Sequence, residues 1–318
     1  MTETTATRAA EYWDQNREKS KDPAYWMAHP ACRQAINRRV SGSPHEWPLD
    51  WFKRTYAPRP FRRGASWGCG LGAFERSARR LDVVADIDAF DVSQASLEDA
   101  RKEARREEIG GIHYQFGNFD DPRLAPRRYD IAFFHASLHH VSALERLFRR
   151  LVFALKRRGA VYVDEYVGPS RGDWTRDHLR AAQAVLDGLP SDAKLKSEID
   201  IPIEMNDPSE AIRSSEIPRF LAEFFDLVEW RPYGGQIVDL VFPCLSSDWV
   251  FSPEGLPHVQ AMLRMEDDEL ERNPSATHYV VAYGRLKGLV RLTPPLARQV
   301  RRALARRLGA RLPFKPEA

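Results

Sequence analysis

The stretch RRGASWGCGLGAFERSARRL, residues 62–81, places three glycines at alternate positions directly after a short apolar segment. The apolar segment predicts a β-strand, and FERSARRL predicts a helix with Phe74, Ala78 and Leu81 on one side. Alternating glycines between a strand and a helix are typical of backbone that folds closely around a ligand. The first candidate binding residues are therefore Gly68, Gly70 and Gly72.

The glycine loop fits two classes of cofactor. With Ala73 it satisfies the pattern G-x-G-x-x-A, which is typical of nicotinamide and flavin dinucleotide sites. Loops that bind S-adenosylmethionine have nearly the same pattern of glycines. The loop alone leaves both classes open.

Strand and helix patterns alternate from the loop onward, as in a mostly parallel sheet with helices on both faces. Further strands are predicted in VADIDAFDVS (84–93), GIHYQFGN (111–118), YDIAFFHAS (129–137) and AVYVDEYVG (160–168). Helices are predicted in QASLEDARKEARREE (94–108) and ALERLFRRLVFALK (143–156). Two later segments, FDLVEWRPYGG (225–235) and THYVVAYGRL (277–286), are expected to complete the sheet.

Composition shifts divide the chain into three parts, the second of which contains an insertion. Residues 1–60 are rich in Trp, Tyr, Arg and Pro and predict an N-terminal helical cap. The main domain is expected over 61–285, and the alternation lapses in 169–222, which we interpret as an insertion that covers the substrate. Residues 286–318 form a basic tail.

The composition of the 318 residues, 43% apolar and 29% charged, is typical of a soluble globular protein. No window has the ~18 uncharged apolar residues of a membrane span, and the N-terminus lacks an apolar signal core. The three cysteines have no metal-ligand spacing. We therefore expect a cytoplasmic protein with reduced thiols and predict no metal site.

The charge is uneven along the chain. Residues 285–311 contain nine Lys or Arg and no acid, whereas the whole chain has a net charge of only +3. A mildly acidic body disfavours nucleic-acid binding across a broad face. The tail predicts a basic amphipathic helix, which would either touch an anionic membrane surface or pack as a terminal helix. Its apolar stripe is Leu296, Val300, Leu304 and Leu308.

Polar candidates follow the ends of the predicted strands, where open parallel sheets bind their ligands. Asp91 ends the second strand, nineteen residues after Gly72, and this spacing suits a carboxylate that binds the ribose hydroxyls of a cofactor. Asn118, His135 and Glu165 end the third, fourth and fifth strands. These residues and the glycine loop are expected to share one edge.

Residues 60–168 resemble the core of a class I S-adenosylmethionine-dependent methyltransferase. The resemblance rests on SWGCGLG, FDVS, YDIAFFHASLHHV and LKRRGAVYVDEYVG; EYVGPS, DPSEAIRSSEI and RPYGG are similar to a bacterial subgroup. It implies an α/β fold with a doubly wound, mostly parallel, seven-stranded Rossmann-like sheet. It also implies S-adenosyl-L-methionine as cofactor.

The sequence departs from this family at two cofactor-binding positions. Ser66 stands where the family usually has an acid that holds the methionine ammonium, and Glu75 or Asp86 would have to compensate. Asn118 replaces the acid that contacts adenine, and an amide can serve there because it both donates and accepts hydrogen bonds. Phe119 beside it would stack on the adenine or pack in the core.

Methyl transfer to a hydroxyl requires alignment of the reactants and a base, which at neutral pH is usually histidine. His135, His139 and His140 follow the fourth strand; we expect His135 to contact the cofactor and His139 or His140 to face the acceptor. Glu165 is expected to orient a histidine or an acceptor hydroxyl. The predicted reaction is O-methylation of a small-molecule or glycan-type acceptor. An NAD(P)-dependent oxidoreductase and a catalytically silent scaffold are the alternatives.

Overall fold

The computed structural model describes residues 5–15, 25–120, 122, 124–202 and 207–288. In this part of the chain the strands are β1 (Phe61–Trp67), β2 (Val84–Asp91), β3 (Ile112–Phe116), β4 (Tyr129–His135), β5 (Leu155–Tyr166), β6 (Phe225–Gly234) and β7 (Tyr279–Leu286). The helices are α1 (Thr5–Gln15), α2 (Pro30–Ser41), α3 (Pro48–Tyr56), α4 (Ala73–Arg80), α5 (Gln94–Arg106), α6 (Leu144–Ala154), α7 (Arg176–Asp187), α8 (Ile217–Phe224), α9 (Val238–Val241), α10 (Ser247–Val250) and α11 (Leu256–Arg272).

The described strands form one seven-stranded sheet in the order β3-β2-β1-β4-β5-β7-β6. Strands β1 to β5 run parallel, which places their carboxyl ends at one edge. Strand β7 runs antiparallel to both of its neighbours, so the sheet is mixed. The predicted α/β sheet of seven strands is confirmed, while the direction of β7 is a feature that hydrophobic patterning does not reveal.

Both faces of the central strands are buried. Phe133 and Tyr162 pack in one cluster of the core, and their chain neighbours Phe134 and Val163 pack in the other. Successive side chains of a strand point to opposite faces, so burial on both sides requires the nearly continuous apolar runs seen in β4 and β5. The sheet is thus held rigidly beneath the edge where the parallel strands end.

The fifth strand starts earlier than the sequence pattern predicts. Helix α6 ends at Ala154, and β5 begins at Leu155 rather than at Ala160. The register between β4 and β5 shifts between Tyr129 and Ile131, and this irregularity lets the chain pass from helix to strand without a separate loop.

The N-terminal helices pack near both ends of the sheet. Helix α2 lies against β6 and α11, where the Arg39 guanidinium bonds to the carbonyl of Tyr233 and to Glu266 Oε2, each at 2.9 Å. Helix α1 lies against α5 instead. The N-terminal segment therefore touches both halves of the sheet.

Among the described helices, none has the length and apolar character needed to cross a membrane. The basic amphipathic helix predicted around Leu296 and Leu308 lies outside the described residues.

Candidate active site

All three glycines of the loop after β1 have left-handed backbone, with φ of +64° at Gly68, +49° at Gly70 and +73° at Gly72. A Cβ on Gly68 would lie 2.5 Å from Ser137 Cβ, and one on Gly72 would lie 2.3 Å from Tyr114 Oη. A Cβ on Gly70 would meet no described atom within 4 Å. The loop is therefore packed closely on its protein side and open beside Gly70, where a ligand can approach the backbone.

Asp91 ties the loop to the end of β2. Its buried carboxylate accepts hydrogen bonds from the backbone N–H groups of Gly70 (2.8 Å) and Ser93 (2.9 Å). Burial raises the pKa of Asp91, and these donors act in the opposite direction. Sequence spacing placed this carboxylate at the loop, and the structure brings the two together.

Ser66 is paired with an acid from the neighbouring helix. It is buried in β1, and its Oγ donates to Glu75 Oε1 at 2.5 Å. Glu75 lies in the first turn of α4 and is only 1% exposed, and burial raises its pKa to about 7. Its Oε2 has no hydrogen-bond partner among the described residues. The structure therefore places a carboxyl group directly beside the serine that replaces the expected acid.

Two other acids lie on β2 and have partners of their own. The Asp86 side chain is 48% exposed and lies 3.5 Å from His113 Nε2. Asp88 is buried and forms ion pairs with Arg63 and Arg128. Of the two residues predicted to compensate for Ser66, only Glu75 contacts it.

Asn118 and Phe119 follow β3 and border the loop. Asn118 Oδ1 accepts from the backbone N–H of Asp120 at 2.8 Å, which closes a local turn. Phe119 is half-buried against the core, and its Cζ would lie 2.9 Å from a Cβ on Gly68. Both residues therefore lie at the expected edge, and the ring contacts the glycine loop as well as the core.

His135 ends β4 and is separate in its contacts from the next two histidines. Its half-exposed ring stacks on Phe74 of α4, with 5.0 Å between ring centroids. Its Nε2 lies 3.9 Å from Asp164 Oδ2. The ring thus covers the start of α4, beside Glu75.

Glu165 organises the turn that carries the histidine pair. Its carboxylate accepts from the backbone N–H groups of Ser137 (2.8 Å) and Leu138 (2.5 Å), and it forms a short hydrogen bond with His139 Nδ1. Burial alone would raise the pKa of Glu165, but His139 and these donors outweigh burial and lower it. The structure therefore brings two predicted site residues together, with Glu165 orienting His139.

The two histidines share a group of acids that the sequence did not single out. Glu210 Oε1 lies 3.6 Å from His139 Nε2, and Glu210 Oε2 lies 4.0 Å from His140 Nε2. Asp207 Oδ2 lies 3.6 Å from His140 Nδ1. Burial alone would lower the pKa of His139, but Glu165 and Glu210 raise it to about 9. The signal was the pair of acids in DPSE, within the predicted insertion.

Helix α1 spans the distance between the Asp91 region and the histidines. Asp14 Oδ1 accepts from Ser93 Oγ at 2.5 Å and from the N–H of Ala95 at 3.3 Å. The Trp13 ring meets the His140 ring edge-on, with 5.5 Å between centroids. Helix α1 lies in the predicted N-terminal cap, and it contacts both the residues after β2 and the histidine turn.

Comparisons with known proteins address the fold and the central domain. Residues 66–163 match the family model described as a methyltransferase domain, and no curated protein sequence matches significantly. The [4+2]-cyclase SpnF is 15% identical, with a TM-score of 0.53 over 91% of this chain and 98% of that one. Haemonchus contortus phosphoethanolamine N-methyltransferase 2, in complex with S-adenosyl-L-methionine, is 13% identical, with a TM-score of 0.50 over 88% of this chain and 60% of that one.

The family match begins at Ser66 and ends in β5, so it contains the glycine loop, Asp91 and the histidine turn. The structural matches extend the shared fold over most of the chain. Residues 66–163 thus match the methyltransferase-domain family, and over this segment the predicted resemblance to class I S-adenosylmethionine-dependent methyltransferases is confirmed.

Proposed function

We propose that this protein transfers a methyl group from S-adenosyl-L-methionine to an oxygen of a small-molecule or glycan-type acceptor. The observation that carries the proposal is the arrangement at the sheet edge: the open glycine loop, the Asp91 carboxylate bonded to it and the His139–Glu165 pair meet there. The family match supports the reaction class. One Haemonchus contortus relative is described in complex with the same cofactor.

The residues around the loop suit a ligand with an ammonium group and ribose hydroxyls. Glu75 Oε2 and Ser137 Oγ are buried polar atoms without hydrogen-bond partners among the described residues, and both flank the loop. We propose that Glu75, held by Ser66, binds the methionine ammonium and that Asp91 binds the ribose. The loop itself contains no Lys or Arg, although the Arg76 guanidinium of α4 donates to the carbonyl of Leu71 at 2.6 Å. The Asp91 carboxylate already bonds to the Gly70 N–H, which is unfavourable for a pyrophosphate.

The bound cofactor supplies an activated methyl group on its sulfonium. The chain's own contribution is to hold the acceptor in line with that methyl group, which can accelerate a reaction by effective molarities of ~10⁵ M or more. The histidine turn adjoins the loop, because a Cβ on Gly68 would touch Ser137, two residues before His139. We propose that His139, His140 and Glu210 hold the acceptor hydroxyl and that Glu165 positions His139.

The proposed cellular location and partners are those expected from the composition of the sequence. We propose a cytoplasmic protein of a bacterial cell; the three cysteines are free and buried, which supports a reducing compartment. We further propose that no nucleic acid is bound and that the basic tail makes any membrane contact.

The first experiment measures cofactor choice. S-adenosylhomocysteine should raise the melting temperature and bind in calorimetry, whereas NAD⁺ should do neither. Asp91→Ala should weaken the binding of S-adenosylhomocysteine by about 10- to 100-fold, because hydrogen bonds to a charged group contribute about 1.5–3 kcal/mol. Asp86→Ala, an exposed acid of the same strand, is the matched control and should bind like the parent.

The second experiment seeks the product. Labelled S-adenosylmethionine is incubated with a metabolite extract, and methylated products are found by mass spectrometry. Stabilisation by NAD⁺ alone would replace our proposal with the oxidoreductase alternative. Binding of S-adenosylhomocysteine without any labelled product would favour a silent scaffold or another reaction, since the fold neighbour SpnF is a cyclase.

A further inference from the structure

The histidine turn and the 207–210 loop bring three ligand-type side chains to one point. One donor atom each of His139, His140 and Glu210 lies within 4.8 Å of the other two. The two imidazole Nε2 atoms approach different oxygens of the same carboxylate, at 3.6 Å and 4.0 Å. Two histidines and one carboxylate form a known ligand set for divalent transition-metal ions with open coordination positions.

The Nδ1 atoms of both rings have polar partners, as the second ring nitrogen of a metal-binding histidine almost always does. His139 Nδ1 bonds to Glu165, and His140 Nδ1 lies 3.1 Å from Ser209 Oγ and 3.6 Å from Asp207 Oδ2. Carboxylates behind metal-binding imidazoles fix the ring orientation and leave Nε2 for the metal. Both histidines therefore present Nε2 toward Glu210.

The acids behind the histidines are deeply buried. Asp207 is 0% exposed, and its Oδ2 has no hydrogen-bond partner among the described residues. Its other oxygen accepts from the N–H and hydroxyl of Ser209, at 2.8 Å and 2.7 Å. Together with Glu165 and Glu210 it gives the two histidines three acidic neighbours. Such a concentration of negative charge stabilises a cation at the point where the Nε2 atoms converge.

We propose that His139, His140 and Glu210 bind a divalent transition-metal ion of the Zn²⁺, Fe²⁺ or Mn²⁺ type. Metal–ligand distances of about 2.0–2.2 Å require donor atoms roughly 3.3 Å apart in a tetrahedral site. The Glu210 oxygens lie 3.6 Å and 4.0 Å from the two Nε2 atoms, and Glu210 can approach them more closely because its side chain is 28% exposed and lies on a loop.

The ion gives the acceptor site a defined chemistry, and this role rests on the proposed methyl transfer. A divalent ion lowers the pKa of a bound hydroxyl and holds its oxygen in a fixed place. The acceptor class would then be a compound that offers a metal-binding hydroxyl, such as a diol, a catechol or a hydroxy acid. Trp13 of α1 contacts the edge of His140 and would border this acceptor.

The test titrates the full chain, freed of metal with a chelator, with Co²⁺, whose visible absorption reports coordination. We expect one Co²⁺ per chain and displacement of Co²⁺ by Zn²⁺. Glu210→Gln should weaken Co²⁺ binding at least about 10-fold, and Asp207→Asn should weaken it about 10- to 100-fold through the ring it orients. His113→Gln and Glu271→Gln remove an exposed histidine and an exposed acid elsewhere and should leave binding unchanged.

Circular dichroism checks that each variant is folded, and His140→Gln replaces Glu210→Gln if that variant is not. Absence of a stoichiometric Co²⁺ spectrum in the parent would overturn the proposal. Equal Co²⁺ affinity in the parent, in Glu210→Gln and in Asp207→Asn would overturn it as well. Because no cofactor or acceptor is present, the titration is independent of S-adenosylhomocysteine binding, and failure of the metal site is distinguishable from failure of methyl transfer.

Discussion

Glu75→Gln should make the protein more stable at alkaline pH. The carboxyl group is 1% exposed, and burial raises its pKa from 4.5 to about 7. The groups that interact with it electrostatically include Asp91, Cys69 and Tyr114, and Arg76 is the nearby cation. Ionised Glu75 is therefore a cost to the folded state that glutamine does not have.

The sign and size of the effect follow from the two pKa values. Between pH 4.5 and 7 the folded chain keeps a proton that the unfolded chain loses, so the free energy of unfolding falls as pH rises. At ~1.4 kcal/mol per pH unit, the full penalty above pH 7 is about 3 kcal/mol. The gain of the variant over the parent should grow by about 2–3 kcal/mol between about pH 5 and pH 8.

Urea unfolding of parent and variant at both pH values measures this difference. Glutamine matches the protonated acid, since its oxygen accepts from Ser66 and its amide replaces the unpaired O–H. Glu98→Gln, at an exposed position of α5, is the control and should show no pH-dependent gain. A gain of equal size at both pH values would refute the reasoning, because it would not come from ionisation.

The same substitution should have the opposite effect on the cofactor. If Glu75 binds the methionine ammonium, Glu75→Gln should weaken the binding of S-adenosylhomocysteine by about 10-fold or more at pH 8, although the protein itself is more stable. Calorimetry on the same samples measures this. Unchanged affinity would remove Glu75 from the cofactor site while leaving the stability argument intact.

Two further predictions concern the loop and the far edge of the sheet. Gly72→Ala should destabilise the protein by about 2 kcal/mol or more in urea unfolding, because its φ is +73° and a Cβ would overlap a buried tyrosine. Gly70→Ala should cost less stability but weaken the binding of S-adenosylhomocysteine. A larger loss of stability in Gly70→Ala than in Gly72→Ala would contradict the packing. Arg39→Met should cost about 3 kcal/mol, since it leaves the Glu266 carboxyl group, which is 0% exposed, without its guanidinium partner. Arg272→Met, in an exposed i,i+3 pair, should cost under about 0.5 kcal/mol, and a similar cost for both would argue against the buried pair.

The sequence was sufficient for the features that depend on local pattern. Strand alternation located the sheet, and the parallel-strand rule put Asp91, His135 and Glu165 at one edge. The contact between Asp91 and the glycine loop follows from the same rule, because neighbouring parallel strands end together. These predictions required no knowledge of distant packing.

The rest depends on contacts between distant segments. Asp207 and Glu210 lie about seventy residues after the histidines they approach, and their charge pattern alone is common on surfaces. The pairing of Ser66 with Glu75 needs the helix to be packed on the strand before the two side chains meet. The direction of β7 is likewise set by its partners, because alternation is the same in both directions.

The docking of α2 on β6 and α11 has a consequence for synthesis of the chain. Arg39 bonds to Glu266, 227 positions later, and β7 sits between β5 and β6 in the finished sheet. At ~5–20 residues per second, a ribosome needs roughly 10–45 s to make the intervening chain. During that time α2 lacks the surfaces of β6 and α11, and β5 has an open edge. The protein must therefore pass through a half-built sheet that is vulnerable to aggregation, and the last described strand closes it.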